Sequence, residues 1–314
     1  MNKKIILDCD PGHDDAVAIM LAIANESIDV LGITCVGGNS TLENTKINAL
    51  KVCSLIDRID IPIYAGESKP MKLDLGRAAH VHGKSGLDID GSHIEINKNY
   101  FIQDLHAVDF IIQTCYEEKD PIYLCPTGPL TNIAKAIKKE PRIKEKIKEI
   151  VFMGGAGLCL GNISPAAEFN IFVDPHAANI VLNSGIPLVM LGLDVTHKVN
   201  VDDRIIQTIE KNNNRASKFF ADLMRFYSKF HRKLYETNAS PLHDPCVIAY
   251  LIDPSIFKGK KVNVVVEENS LLTRGETVVD WLGVTGRKAN CYVIVDADAK
   301  KFFLLLQKEL KKLT

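Results

Sequence analysis

The run Leu7-Asp8-Cys9-Asp10-Pro11-Gly12-His13-Asp14-Asp15-Ala16 sets four carboxylates, Asp8, Asp10, Asp14 and Asp15, within eight positions. Like charges this close repel unless something positive sits among them, so the cluster asks for a cation. Pro11 and Gly12 make a turn after an apolar, strand-like stretch, and Ala16 to Ala24 reads as an apolar helix. An acidic helix N-terminus explains Asp14 or Asp15 through the helix dipole, but leaves Asp8 and Asp10 on the strand side without a role.

Further polar loops follow other apolar stretches. Val30–Val36 runs into Gly37-Gly38-Asn39, and Ile122–Cys125 into Pro126-Thr127-Gly128-Pro129-Leu130-Thr131-Asn132. Ile150–Met153 runs into Gly154-Gly155-Ala156-Gly157 and then Gly161-Asn162-Ile163-Ser164-Pro165-Ala166-Ala167-Glu168-Phe169-Asn170. Gly and Asn are ordinary turn residues, so each loop alone says little. Together they offer Asn39, Asn162, Glu168 and Asn170 to a polyhydroxylated ligand and an oxygen of Thr127 beside the carboxylates. In His243-Asp244-Pro245 the prolines at 241 and 245 hold a turn, and Asp244 adds another carboxylate. If Asp244 reaches the cation, the ligands are all oxygens, from Asp10, Asp15, Thr127 and Asp244, with His243 at the mouth. Such a set suits a hard cation and not zinc, and Ca²⁺ accepts a mixed carboxylate, carbonyl and diol shell more readily than Mg²⁺.

The elements that hold these loops alternate. Strands are expected at Lys4–Asp8, Val30–Val36, Pro62–Tyr64, Ile122–Cys125, Ile150–Met153 and Pro187–Leu191, and helices at Asp15–Ala24, Leu42–Ile56, Ala107–Tyr116, Leu130–Lys138 and Pro175–Leu182. That pattern predicts an α/β fold: an open, mainly parallel, Rossmann-like sheet with helices on both faces. Its loops would meet at the carboxyl ends of the strands, where such sheets bind ligands. After Asp202 a long helical region runs to about Tyr235. Added β segments at Val262–Glu267 and Cys291–Asp296 and a closing helix at Lys300–Leu310 complete the C-terminal side. No repeat or linker divides the chain, which reads as a single domain over 1–314.

Net charge is -1 from 38 basic and 39 acidic residues, so no nucleic-acid-binding surface is implied. No apolar run reaches membrane-spanning length, and Met1-Asn2-Lys3-Lys4 enters Ile5-Ile6-Leu7 without a signal-peptide pattern. Eight cysteines are scattered without a C-x-x-C pair and read as reduced, buried small residues. A cytoplasmic location is expected.

These residues closely resemble the inosine-uridine-preferring nucleoside hydrolase family. The matching pieces are Asp8 to Ala16, Val36-Gly37-Gly38-Asn39, His82-Gly83, Thr127 to Asn132, Ala167-Glu168-Phe169-Asn170 with Asp174-Pro175, His243-Asp244-Pro245, Arg274-Gly275 and Thr277-Val278-Val279-Asp280. The resemblance implies hydrolysis of the N-glycosidic bond of a ribonucleoside to ribose and free base, with Ca²⁺ chelating the ribose 2′- and 3′-hydroxyls and a water. On this likeness Asp10 is the general base, and Asp15, Asp244 and the Thr127 carbonyl are further metal ligands. Asp14, Asn39, Asn162, Glu168 and Asn170 hold the ribose, His243 protonates the leaving base, and His82 lies near the base pocket. The family's usual homodimer or homotetramer is expected too. Tyr227, His231 and Tyr235 fall at helical i, i+4, i+8 spacing on one face. An aromatic stripe of that kind packs a core or faces a nucleobase; the His231/Tyr235 pair leans towards uridine and cytidine, with a purine-tolerant enzyme as the alternative. Ser164 and the Gly86-Leu87-Asp88-Ile89-Asp90-Gly91 loop depart slightly from the family pattern.

Two rival readings fit these residues less well. Asp8-x-Asp10 could open a haloacid-dehalogenase-type phosphatase, but that chemistry expects a later Gly-Asp pair and this sequence has no Gly-Asp dipeptide. A non-catalytic ribonucleoside-binding protein would be expected to lack the Asp10 carboxylate, which is present.

Overall fold

A computed structural model describes residues 2–73, 85–89, 94–235 and 238–314, leaving aside the side chains of 230–235. In chain order the strands are β1 (Lys3–Cys9), β2 (Ile28–Cys35), β3 (Ile63–Ala65), β4 (Ile102–Gln103), β5 (Ile122–Pro126), β6 (Ile147–Met153), β7 (Leu188–Leu191), β8 (Asn200–Val201), β9 (Ser240–Pro241), β10 (Phe257–Val266), β11 (Thr277–Asp280) and β12 (Cys291–Ala297). Among the described residues all except β8 and β9 form one ten-stranded sheet, in the order β11-β10-β12-β7-β6-β5-β1-β2-β3-β4. Neighbours are parallel from β12 to β4, while β10 pairs antiparallel with β12 and β11. The expected open, mainly parallel sheet is the one observed. The chain steps outward from β1 to β4 and then returns to lay β5 along the other flank of β1. Strand order therefore reverses between β1 and β5, and a crevice opens beyond their carboxyl ends.

The helices are α1 (His13–Ala24), α2 (Leu42–Leu55), α3 (Ala107–Glu117), α4 (Thr131–Lys139), α5 (Phe169–Val173), α6 (Pro175–Leu182), α7 (Leu193–Thr196), α8 (Asp203–Glu210), α9 (Arg215–Tyr235), α10 (Pro245–Ile252) and α11 (Ala299–Leu310). Side chains of β1 alternate between two cores, as the period of a strand dictates. Ile5, Leu7 and Cys9 pack with α1, α2, α9, α10 and α11; Ile6 packs on the opposite face with α3, α4 and α6. Because α1 is apolar from Ala16 to Ala22 on every side, that stretch lies fully buried between the sheet and α10.

The region after Asp202 is two helices where the sequence reads as one helical stretch. Asn213, in the turn between α8 and α9, takes a left-handed conformation, φ 57°, which Asn tolerates better than most residues. Asn214 then accepts from Ser217 N at 2.8 Å, starting α9, and donates to Leu310 O at 2.8 Å, fixing the corner to α11. All eight cysteines are free and seven are buried, but Cys159 is exposed on the loop after β6, contrary to the expectation for it. No described helix is long and apolar enough to cross a membrane.

Candidate active site

Two helix N-termini carry the acidic cluster. Asp15 is the third residue of α1, and its Oδ2 accepts from Gly12 N at 2.9 Å, so the carboxylate helps to start the helix that bears it. Asp244 sits at the cap of α10, with Pro245 in its first turn. Because α1 and α10 pack together, Asp14, Asp15 and Asp244 converge, each able to offer an oxygen within 4.8 Å of the others. All three are buried. The positive ends of two helix dipoles offset part of this charge.

Asp10 leaves the end of β1 at the strand-order reversal, where Thr127 N donates to Asp8 O at 2.8 Å and ties β5 alongside. Its Oδ2 accepts from Asn39 N at 2.5 Å; its Oδ1 is fully buried and has no hydrogen-bond partner among the described residues. Side chains at Gly38 or Gly128 would collide with this carboxylate, so both glycines are there for close approach. Burial, then the charges of Asp15 and Asp14, push the Asp10 carboxyl well above its ordinary range. Asp244 is raised likewise by burial and by Asp14, Asp15 and Asp10, and Asp14 is pushed up to about 7 by burial and Asp15. The groups acting most strongly on them are other carboxylates and hydrogen-bond donors, not basic side chains. A buried carboxylate oxygen with no donor, beside three mutually repelling carboxylates, fits a resident cation.

The loops after β2, β5 and β6 are hydrogen-bonded to this centre or to one another. Asn39 Nδ2 donates to Asp15 Oδ2 at 3.2 Å and to Asp10 O at 3.3 Å, bridging β1 and α1. Thr127 Oγ1 donates to Asp15 Oδ1 at 2.8 Å, while Thr127 O accepts from Asn170 Nδ2 at 2.7 Å. Asn170 Nδ2 also reaches Met153 O at 3.2 Å, so one amide joins the ends of β5 and β6. Glu168 caps α5: its carboxylate accepts from Asn170 N at 2.9 Å, Ile171 N at 3.2 Å and Gly155 N at 2.9 Å. Asn162 is exposed, and its Oδ1 accepts from Phe169 N at 2.9 Å, closing the 162–169 loop.

Against known proteins, the sequence matches the profile of the inosine-uridine preferring nucleoside hydrolases over residues 5–304. The chain belongs to that family. It is 44% identical over 312 residues, 99% of both chains, to the pyrimidine-specific ribonucleoside hydrolase RihA of Escherichia coli. The same fold is seen in the plant nucleoside hydrolase PpNRh1 (TM-score 0.91, 30% identity, 99% of each chain). A purine-preferring ribonucleoside hydrolase from Gardnerella vaginalis is equally close in structure (TM-score 0.91, 34% identity, 98% of each chain). The protein is thus a ribonucleoside hydrolase of a metal-dependent family, and the acidic group between α1 and α10 suits such a metal.

The helix α7 that follows β7 meets the turn ahead of α10 through His243. His243 is 8% exposed, and its Nδ1 shares a 2.7 Å hydrogen bond with Thr196 Oγ1 on α7. The His197 ring lies tilted, 5.8 Å away. Tyr227 is core: it is 2% exposed and packs on His13. His82 and the side chains of His231 and Tyr235 lie outside the described residues. Sequence reasoning missed Asp194, which accepts from Gly157 N at 2.8 Å and Leu158 N at 2.6 Å and pins the glycine loop after β6. It also missed Thr196; both follow β7, so the strand-end logic applied to the other loops would have found them. Asp8 has a role as well: behind the site its Oδ1 accepts from Thr34 Oγ1 at 2.5 Å and Asn132 Nδ2 at 2.8 Å, crosslinking β1 to β2 and α4.

Proposed function

We propose that the protein hydrolyses ribonucleosides, preferring uridine and cytidine, with Asp10 as the general base on the attacking water. The observation that carries this assignment is the buried Oδ1 of Asp10, which meets no donor among the described residues, beside the Asp14, Asp15 and Asp244 group. Asp10, Asp15, Asp244 and the Thr127 carbonyl are the proposed ligands of Ca²⁺. This oxygen-only set suits a hard cation. When bound, the ion would neutralise the carboxylates, hold the ribose diol and acidify the attacking water. Asp10 takes the water's proton, with the Asn39 amide holding its other oxygen. Asp14, Asn39, Asn162, Glu168 and Asn170 hold the ribose and bring its anomeric carbon to the water. The surrounding carboxylates oppose the positive charge that develops on an oxocarbenium-like sugar.

His243 is the proposed acid for the departing base, steadied by Thr196. Replacing His243 with Ala should cut turnover of inosine about 10²-fold, and that of an activated 4-nitrophenyl riboside much less. Equal losses on the two would remove His243 from that role. His82, His231 and Tyr235 are the proposed base-side groups. The pyrimidine preference draws support from the RihA relatives, whereas the purine-preferring Gardnerella structure favours the purine-tolerant reading. The ten-stranded sheet that runs through both halves of the chain supports one catalytic unit over residues 1–314. Seven buried free thiols support a reducing, cytoplasmic setting, and exposed Leu271, Leu272, Leu282 and Val284 on the loops flanking β11 support a homo-oligomer.

The test is incubation with uridine, cytidine, inosine and adenosine, with and without phosphate, measuring free base and reducing sugar. Ribose release independent of phosphate is expected, fastest from the pyrimidines. 2′-Deoxyuridine should react about 10⁴-fold less efficiently, since its loss of a hydroxyl leaves a polar site unpaired. Faster release from inosine would select the purine-tolerant reading, and no release from any of the four would favour a binding protein.

A further inference from the structure

We propose that His13 is a positioning residue for the base-side wall of the site, holding helix α9 and the 85–89 loop against the acidic turn. His13 is the first residue of α1, directly ahead of Asp14, and is fully buried. One face of its ring stacks on Phe226, with centroids 5.1 Å apart and planes 8° apart; Tyr227 lies 5.8 Å away at 28°. The ring edge reaches the loop: Nε2 lies 2.8 Å from Asp88 O. A carbonyl only accepts, so Nε2 carries the proton in that bond. Asn48 supports the same loop, donating to Ser85 O and to Pro11 O, each at 2.9 Å.

The inference rests on the reading that His82, His231 and Tyr235 serve the base. In sequence, the 85–89 loop follows His82 at once, and Tyr227 stands one helical turn before His231 and two before Tyr235. Both base-side elements therefore meet on one imidazole, with a flat face for an aromatic helix surface and an edge donor for a backbone carbonyl. An aliphatic side chain here would supply neither, and Phe would supply the face alone.

The test compares kcat/KM for uridine and for 4-nitrophenyl β-D-ribofuranoside, whose leaving group needs little help from a base pocket. With His13→Ala, uridine should lose about 100-fold, the scale of a 1 Å misplacement, while the nitrophenyl riboside changes less than about 3-fold and bound metal is retained. His13→Phe, which keeps the stack but loses the bond to Asp88 O, should lose about 10-fold on uridine and little on the riboside. Parallel losses on both substrates would overturn the proposal, because His13 would then act through the Asp14–Asp15 turn. Unchanged kinetics would overturn it too. If His13→Ala does not fold, the ratio in His13→Phe decides alone. Wild-type protein inert to both substrates would instead sink the mechanism proposed for the site.

Discussion

Asp10→Ala should abolish turnover, with kcat for uridine falling about 10³-fold or more. General-base catalysis is worth about 10² to 10⁴, and the same carboxylate is a proposed metal ligand, so the loss sits in the upper part of that range. Folding should survive. The wild-type carboxyl is buried with one oxygen lacking a donor, and burial with neighbouring charge pushes its pKa well up. Removing it relieves repulsion and costs one hydrogen bond from Asn39 N. Asp10→Asn makes the sharper test, since its amide oxygen can still accept from Asn39 while offering no base. A kcat near the wild-type value in either variant, with an unchanged melting curve, would end the general-base assignment.

Stripping the metal should have the second largest effect. Chelation is expected to reduce kcat/KM at least about 100-fold, and readdition of Ca²⁺ to restore it. Without a cation, Asp10, Asp14, Asp15 and Asp244 lie buried together with their charges uncompensated. Folding therefore bears a cost that binding relieves: at a hundredfold excess over Kd the gain is about 2.7 kcal/mol. Chelated protein should melt about 5 °C lower than the calcium form. Asp244→Asn should weaken calcium affinity, measured by titration, at no cost in helix capping, because the Asp244 side chain makes no capping hydrogen bond to α10. Full activity after exhaustive chelation, with no metal detected by elemental analysis, would remove the cation from the mechanism; restoration by Zn²⁺ and not Ca²⁺ would remove calcium.

The chemistry was legible to the extent that it was local. Asp14 and Asp15 are readable because one turn places them at a helix N-terminus, and the glycines at 38 and 128 because close approach to Asp10 leaves no room for a side chain. Glu168 was less legible. Its position beside Asn170 reads as a ligand for a sugar, yet its oxygens accept from backbone amides at Gly155, Asn170 and Ile171, a capping task that only the packed loop reveals. Tyr227 shows the same limit, because helical spacing puts it on a face and cannot say what that face meets. Asp194 and Thr196 escaped notice because they fall in no charged run; their importance comes from the glycine loop and the histidine that pack on them.

By itself the sequence determined the alternation of strand and helix, the acidic turn after β1 and the oxygen-rich chemistry of the strand-end loops. Each depends on side-chain type and spacing within one or two elements, where hydrophobic periodicity and turn preferences act directly. Tertiary structure decided which of these pieces meet. Returning β5 to the free flank of β1 brings Thr127 within 2.8 Å of Asp15 across 112 residues of chain. Packing α10 on α1 brings Asp244 to Asp14 and Asp15. Long-range meetings of this kind follow from crossover order and from the burial of whole helix faces, and no short stretch of residues encodes either.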